Sequence, residues 1–175
     1  MTNKEKLLQK IPELLNEVKS KNPLTHCITN FVTVNDCANA VLAIGASPIM
    51  SEDIEEVAEV VSIADALVIN IGKLSHEQVE AMKISSAQAN KINTPVILDP
   101  VGVGISQLRN KVTLEIIENY NLAASFEITS AFSFKLSWVM MSLSDTSTPF
   151  AVFDSEIIPV NLAIVFISDL RKVTS

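Results

Sequence analysis

The sequence predicts an α/β domain built on a parallel sheet. Two observations carry this. Short continuous apolar runs, ALVINI at 66–71 and PVIL at 95–98, suit strands buried on both faces. The segments between them repeat their apolar residues at helical spacing. Short strands that alternate with amphipathic helices form a parallel sheet with helices on both faces.

The elements follow in order. Residues 4–19 read as an amphipathic helix through Leu7, Leu8, Ile11, Leu14, Leu15 and Val18, and Pro23 closes the segment. Residues 25–29 are β-branched enough for a strand. Residues 35–44 have a helical pattern, with Asn35 and Asp36 as its cap and Gly45 as its C′ residue. A short strand follows at 47–50. Ser51 then stands as N-cap of SEDIEEVAEVV, whose early acids suit the helix dipole. Residues 66–71 form a strand, 75–90 a helix and 95–98 a strand that ends in Asp99-Pro100. Residues 110–118 are helical, and 122–124 begin one more strand.

Bulk properties narrow the function. A chain of 175 residues, 48% hydrophobic, fits one domain with a sizeable core. Its net charge of -7 excludes a general nucleic-acid binder, which needs a basic footprint. No run approaches the roughly 20 apolar residues of a membrane span. The nearest, 131–143 and 157–170, are broken by Lys135 and by Pro159 and Asn161. The opening MTNKEKLLQK has no apolar run of a signal peptide. Cys27 and Cys37 therefore read as reduced thiols in a cytoplasmic protein, without the spacing of a metal site.

In open parallel sheets ligands bind beyond the carboxyl ends of the strands. Asn30, Met50, Asn70 and Asp99 each lie at or just past such an end. Each also has a plainer reading. Asn30 either orients a heterocycle through its amide or closes an Asx-turn. Met50 is a flexible apolar wall or core filling. Asn70, closing an apolar strand, must find a partner, and Gly72 beside it allows close approach of a ligand. Asp99, in Asp-Pro-Val-Gly-Val-Gly, either holds Mg²⁺ beside phosphates or caps a turn. His26 lies inside a strand, where a buried histidine bonded to backbone is expected. Lys73 and Arg109 are either phosphate contacts or solvated cations. No GxxxxGK[ST] occurs, and Gly102 and Gly104 lack the third glycine of a dinucleotide fingerprint.

Three stretches, LTHCITNFVTVNDCANAVLAIGASPIM, ADALVINIG and INTPVILDPVGVG, together closely resemble hydroxyethylthiazole kinase, a family of the ribokinase-like fold. The resemblance runs in order from about residue 7 to 124 and includes Arg109. It implies ATP-dependent phosphorylation of the primary hydroxyl of 4-methyl-5-(2-hydroxyethyl)thiazole in thiamine biosynthesis. It also implies Mg²⁺ and a homotrimer with sites between subunits. Asn30, Val32 and Met50 match thiazole-contacting positions, and Asp99 matches an acid on the Mg²⁺ and phosphate side. Asn70 is assigned to the nucleotide side.

The resemblance stops near residue 124. The family continues with IRGNxxE, whose Arg meets ATP and whose Glu helps hold the metal. Here Phe126 stands at the Arg position and Ala131 at the Glu position. The family's glycine-rich GTGC-type segment has no counterpart. Composition changes at the same place: all four glycines lie at or before Gly104, and six of seven phenylalanines at or after Phe126. The expectation is an incomplete ribokinase-like unit at residues 1–124 with a divergent tail at 125–175, from truncation or a frame shift. A thiazole-binding remnant without catalysis, or one that pairs with an intact subunit, is the alternative to a working kinase.

Overall fold

The computed structural model describes residues 3–126 and 151–153, so Ala131 and most of residues 125–175 lie outside the described residues. The chain alternates helix and strand: α1 (Asn3–Lys21), β1 (Leu24–Ile28), α2 (Val34–Ala43), β2 (Ser47–Ile49), α3 (Val57–Ile63), β3 (Ala66–Asn70), α4 (His76–Lys91), β4 (Val96–Asp99), α5 (Gln107–Asn119), β5 (Ala124–Phe126) and β6 (Ala151–Phe153). The described strands form one sheet in the order β2-β1-β3-β4-β5-β6, and every pairing is parallel.

The strand order reverses between β1 and β3. The chain leaves β1 toward β2, then returns across β1 to lay down β3, β4 and β5 on the other side. The loops that follow β1 and β3 therefore part in opposite directions and leave a crevice at their carboxyl ends.

Alternation along the strands divides the core into two layers. Ile28, Leu67, Ile69, Val96 and Leu98 pack with Val57 and Val61 of α3, Ala81 and Met82 of α4, and Val112 and Ile116 of α5. Cys27, Ala66, Val68 and Ile97 face the other way, against Val18 of α1 and Val41 of α2. Each buried Val, Leu or Ile contributes about 1.5–3 kcal/mol by leaving water. Because the central strands are buried on both faces, side chains can meet a ligand only at strand ends.

Local chemistry sets the element ends. Helix α2 stops in a Schellman motif: Gly45 N–H donates to Leu42 O at 3.0 Å, and Ala46 N–H to Val41 O at 3.1 Å. Gly45 has φ +94, and a Cβ there would lie 2.6 Å from Lys19 Cγ, so both conformation and the nearness of α1 require glycine. Ser75 and Ser106 cap α4 and α5 by accepting from the backbone N–H of Gln78 and Arg109. Two expected caps are corrected. Helix α3 starts at Val57 rather than after Ser51, because a turn from Asp53 to Glu56 intervenes; Ser51 Oγ donates instead to the Glu56 carboxylate. The residue flanking α2 is Thr33, not Asn35 or Asp36, and no side chain caps that helix directly.

His26 has the buried, backbone-bonded role expected of it. Its Nε2 lies 2.9 Å from Ser51 O, which ties β1 to the residue pair that follows β2. A carbonyl only accepts, so the neutral ring carries its proton on Nε2. Nδ1 is buried with no partner among the described residues. Burial pushes the His26 pKa down from 6.5, outweighing the Ser51 bond and the Glu56 charge. As pH falls below 6.5, the unfolded state takes up a proton that the folded state refuses, so stability declines on acidification. Urea titrations should show the unfolding free energy falling by up to about 1.4 kcal/mol per pH unit below that value. His26→Gln, which keeps a donor for Ser51, should flatten the slope; an unchanged slope would remove His26 as its cause.

Candidate functional site

Strand β3 and strand β4 end level with each other. Asn70 pairs directly with Asp99 in the sheet register, and both lie on the side occupied by Val68 and Ile97. The Asn70 amide donates from Nδ2 to Asp99 Oδ2 at 2.7 Å and accepts at Oδ1 from Gly72 N–H at 2.8 Å. One amide thus serves the carboxylate and the turn behind it. Burial raises the Asp99 pKa above 3.8, and the Asn70 bond acts against that rise. A cation at this place would favour the ionised carboxylate.

Across the reversal stands Asn30, two residues beyond β1. Its Oδ1 accepts from Val32 N–H at 3.0 Å and Thr33 N–H at 3.1 Å. This is the Asx-turn alternative, and it supplies at one remove the cap that α2 lacks. The Asn30 amide nitrogen remains directed at Gly72: a Cβ built on Gly72 would lie 3.1 Å from Asn30 Nδ2 and 2.7 Å from Asn70 Oδ1. Asn30, Asn70, Gly72 and Asp99 therefore form one continuous rim on both sides of the reversal.

The other sequence-predicted residues take different places. Val32 is 74% exposed on the β1–α2 loop beside Phe31, which is 64% exposed. Lys73 rests its ammonium 4.3 Å from the Phe31 ring centroid and so bridges the β1–α2 and β3–α4 loops. Met50, one residue past β2, packs partly buried against the layer of Cys27, Val41 and Val68. It is set deeper than the amides, since Ile49 is level with His26. Arg109 is half-buried and meets backbone: its guanidinium donates to Ile71 O, to Gly72 O at 2.7 Å and to Val101 O at 2.8 Å. Phe126 ends β5. Cys27 and Cys37 are free thiols, and burial pushes the Cys27 pKa up to about 12, so it stays protonated and inert.

Gln78 was not singled out by sequence. It stands three residues after Ser75, in the spacing of a capping box, where its side chain would return to the cap residue. It reaches away instead. Nε2 donates to Thr29 O and to Glu52 Oε2, both at 2.8 Å. The side chain is 4% exposed and joins the loops after β1 and β2. The S-x-x-Q spacing was visible; the diversion of its amide depends on tertiary contacts.

Gly72 has no left-handed backbone, so its glycine is demanded by space alone. Gly72→Ala is expected to fold, to displace the Asn70 amide and to cost about 1–3 kcal/mol, the range of overpacking. Chemical denaturation gives the loss, and the Asn70 side-chain NH₂ resonances report the displacement. Resonances at wild-type positions would show that the rim tolerates a methyl group.

The model of the "Hydroxyethylthiazole kinase family" matches residues 15–127. A hydroxyethylthiazole kinase of Methanobrevibacter smithii is 83% identical over 159 residues, covering 90% of this chain and 55% of that protein. Another from Clostridium tetani is 57% identical over 112 residues, covering 64% of this chain and 41% of the relative. The chain thus spans about half the length of these curated relatives. A solved structure described as hydroxyethylthiazole kinase protein from Pyrococcus horikoshii OT3 superposes with a TM-score of 0.72 at 35% identity, over 84% of this chain and 61% of that one. The parallel sheet, the reversal with its polar rim and the matched segment agree: the chain belongs to the hydroxyethylthiazole kinase family.

Proposed function

We propose that the protein acts on 4-methyl-5-(2-hydroxyethyl)thiazole, phosphorylating its primary hydroxyl with ATP as donor, in thiamine biosynthesis. The observation that carries this reading is the rim itself, with the Asn30 and Asn70 amides facing each other over Gly72 beside Asp99. Asn30, Val32 and Met50 are read as the thiazole wall. Asn30 offers a donor to a ring heteroatom, while Val32 and Met50 offer apolar surface. The Asn70 amide orients the Asp99 carboxylate toward the phosphate side.

Mg²⁺ fits this donor set. It typically takes one or two carboxylates and keeps water and phosphate oxygens for the rest. Asp99 has one oxygen held by Asn70 and the other without such a bond among the described residues, and its raised pKa marks a place where positive charge would be favourable. Among the described residues no cluster of three His, Cys, Asp or Glu offers an all-protein cage. When bound, the ion supplies charge neutralisation across the phosphate oxygens. We further read the assembly as a homotrimer with sites between subunits, supported by the exposed Phe31 and Val32 at the rim. The free thiols support a cytoplasmic setting.

A second reading, thiazole binding without transfer, is favoured by one observation. Strand β5 ends in Phe126, where an arginine for ATP is expected. Calorimetry and an ADP-release assay on the full chain separate the two. The thiazole alcohol should bind, and Asn30→Ala should weaken it by about tenfold, equivalent to one lost hydrogen bond to a buried group. ADP release should require the thiazole and should disappear in Asp99→Asn with binding retained. Binding without any ADP release would select the second reading, and no thiazole binding would overturn both.

A further inference from the structure

Arg109 is the basic residue that spacing offers to a phosphate, yet three of its N–H donors are already taken by main-chain carbonyls. Its carbonyl partners are placed with a pattern. Ile71 and Gly72 follow Asn70 directly, and Val101 follows Asp99 and Pro100. The guanidinium thus fastens the residues immediately behind both members of the Asn70–Asp99 pair. Its stem lies along Gly102, where a Cβ would come within 3.4 Å of Arg109 Cδ and Nε. Gly102 has φ +73, so the turn that admits the arginine stem also needs glycine for its backbone.

Position in α5 adds a second indication. Arg109 lies in the first turn, with no acidic residue there. A cation at a helix N-terminus is opposed by the helix dipole. Helix stability does not explain an arginine here, whereas a planar fork that bonds several carbonyls at once does.

Resting on the proposed thiazole kinase reading, we propose that Arg109 is a positioning residue of this site, holding Asn70 and Asp99 in register by clamping the β3–α4 loop to the β4–α5 loop. The sheet ladder and the Ile71 N–H bond to Asp99 O at 3.1 Å pair the two backbones up to the strand ends, and the clamp carries that register into the loops beyond them. Reacting groups displaced by about 1 Å lose much of their effect, so a clamp on the backbone behind them matters to the chemistry. Lysine replaces it only in part, because an ammonium lacks the rigid fork.

The test compares wild type, Arg109→Ala and Arg109→Lys in the full chain, with circular dichroism to confirm folding. Arg109→Ala should raise amide exchange at Gly72 by at least about tenfold, since that N–H depends on the Asn70 carbonyl. Thiazole-dependent ADP release should fall by a similar factor, and millimolar guanidinium should restore both in Arg109→Ala but change neither in wild type. Arg109→Lys should give an intermediate loss. Wild-type exchange at Gly72 in either folded variant would overturn the proposal, as would a loss that guanidinium leaves untouched. If Arg109→Ala does not fold, Arg109→Lys alone decides through the Gly72 exchange rate. If wild type fails to bind the thiazole, the functional reading fails, while the exchange measurements still decide the clamp.

Discussion

The whole arrangement depends on where a doubly covered parallel sheet lets polar groups stand. Ile28, Leu67, Ile69 and Leu98 are fully buried, and no polar side chain beside them meets solvent in mid-strand. Amides and carboxylates are admitted only at the carboxyl ends, where the ladder stops and the backbone turns away. Two neighbouring strands that end in register, β3 in Asn70 and β4 in Asp99, place an amide and a carboxylate in contact without any special loop. The reversal of strand order then opens a gap beside them, and Asn30 enters from its far side.

The rim is held by backbone contacts more than by salt bridges. Gln78 joins the loops after β1 and β2, Asn30 closes its own turn, Asn70 holds Gly72, and Arg109 binds three carbonyls. Asn110 adds one more, accepting from Gly104 N–H. Amides and a guanidinium suit this role because they keep their donors at any ordinary pH. Asp99 is the one ionisable member of the central pair, and its burial disfavours the charged form that the paired amide partly restores. In stability its sign is opposite to that of His26. The folded state takes up a proton at Asp99 before the unfolded state does, so acidification between its raised value and 3.8 favours folding.

Much of this was legible in the sequence, and the failures have physical reasons. The apolar runs ALVINI and PVIL have no polar interruption, so only a buried strand suits them, and β3 and β4 appear there. Ser75 and Gly45 have the local chemistry of helix ends and occupy them. Ser51 has the same local chemistry and does not, because the turn from Asp53 to Glu56 moves the helix start to Val57, while its carbonyl accepts from His26, 25 residues away in sequence. Local propensity cannot see such a partner. The choice for Asn30 between turn and ligand was likewise undecidable from spacing, and the structure gives its oxygen to the turn and leaves its nitrogen facing the gap. Spacing leaves Arg109 between a solvated cation and a phosphate contact, and the fold adds a third role, bonds to main-chain carbonyls. The carbonyls that bind it lie up to 38 residues away and converge only once the sheet has formed.

The resting place of Lys73 has a consequence for entry into the gap. Its ammonium on the Phe31 ring joins the two loops through an exposed contact worth about 0.5–1 kcal/mol. Thermal motion at room temperature carries comparable energy, so such a strap comes loose several times for every ten it holds. A small molecule arriving at the mouth would find it ajar without any hinge having to bend. Because ring and cation attract over only a few ångströms, added salt would weaken this fastening far less than it weakens a pair of distant opposite charges.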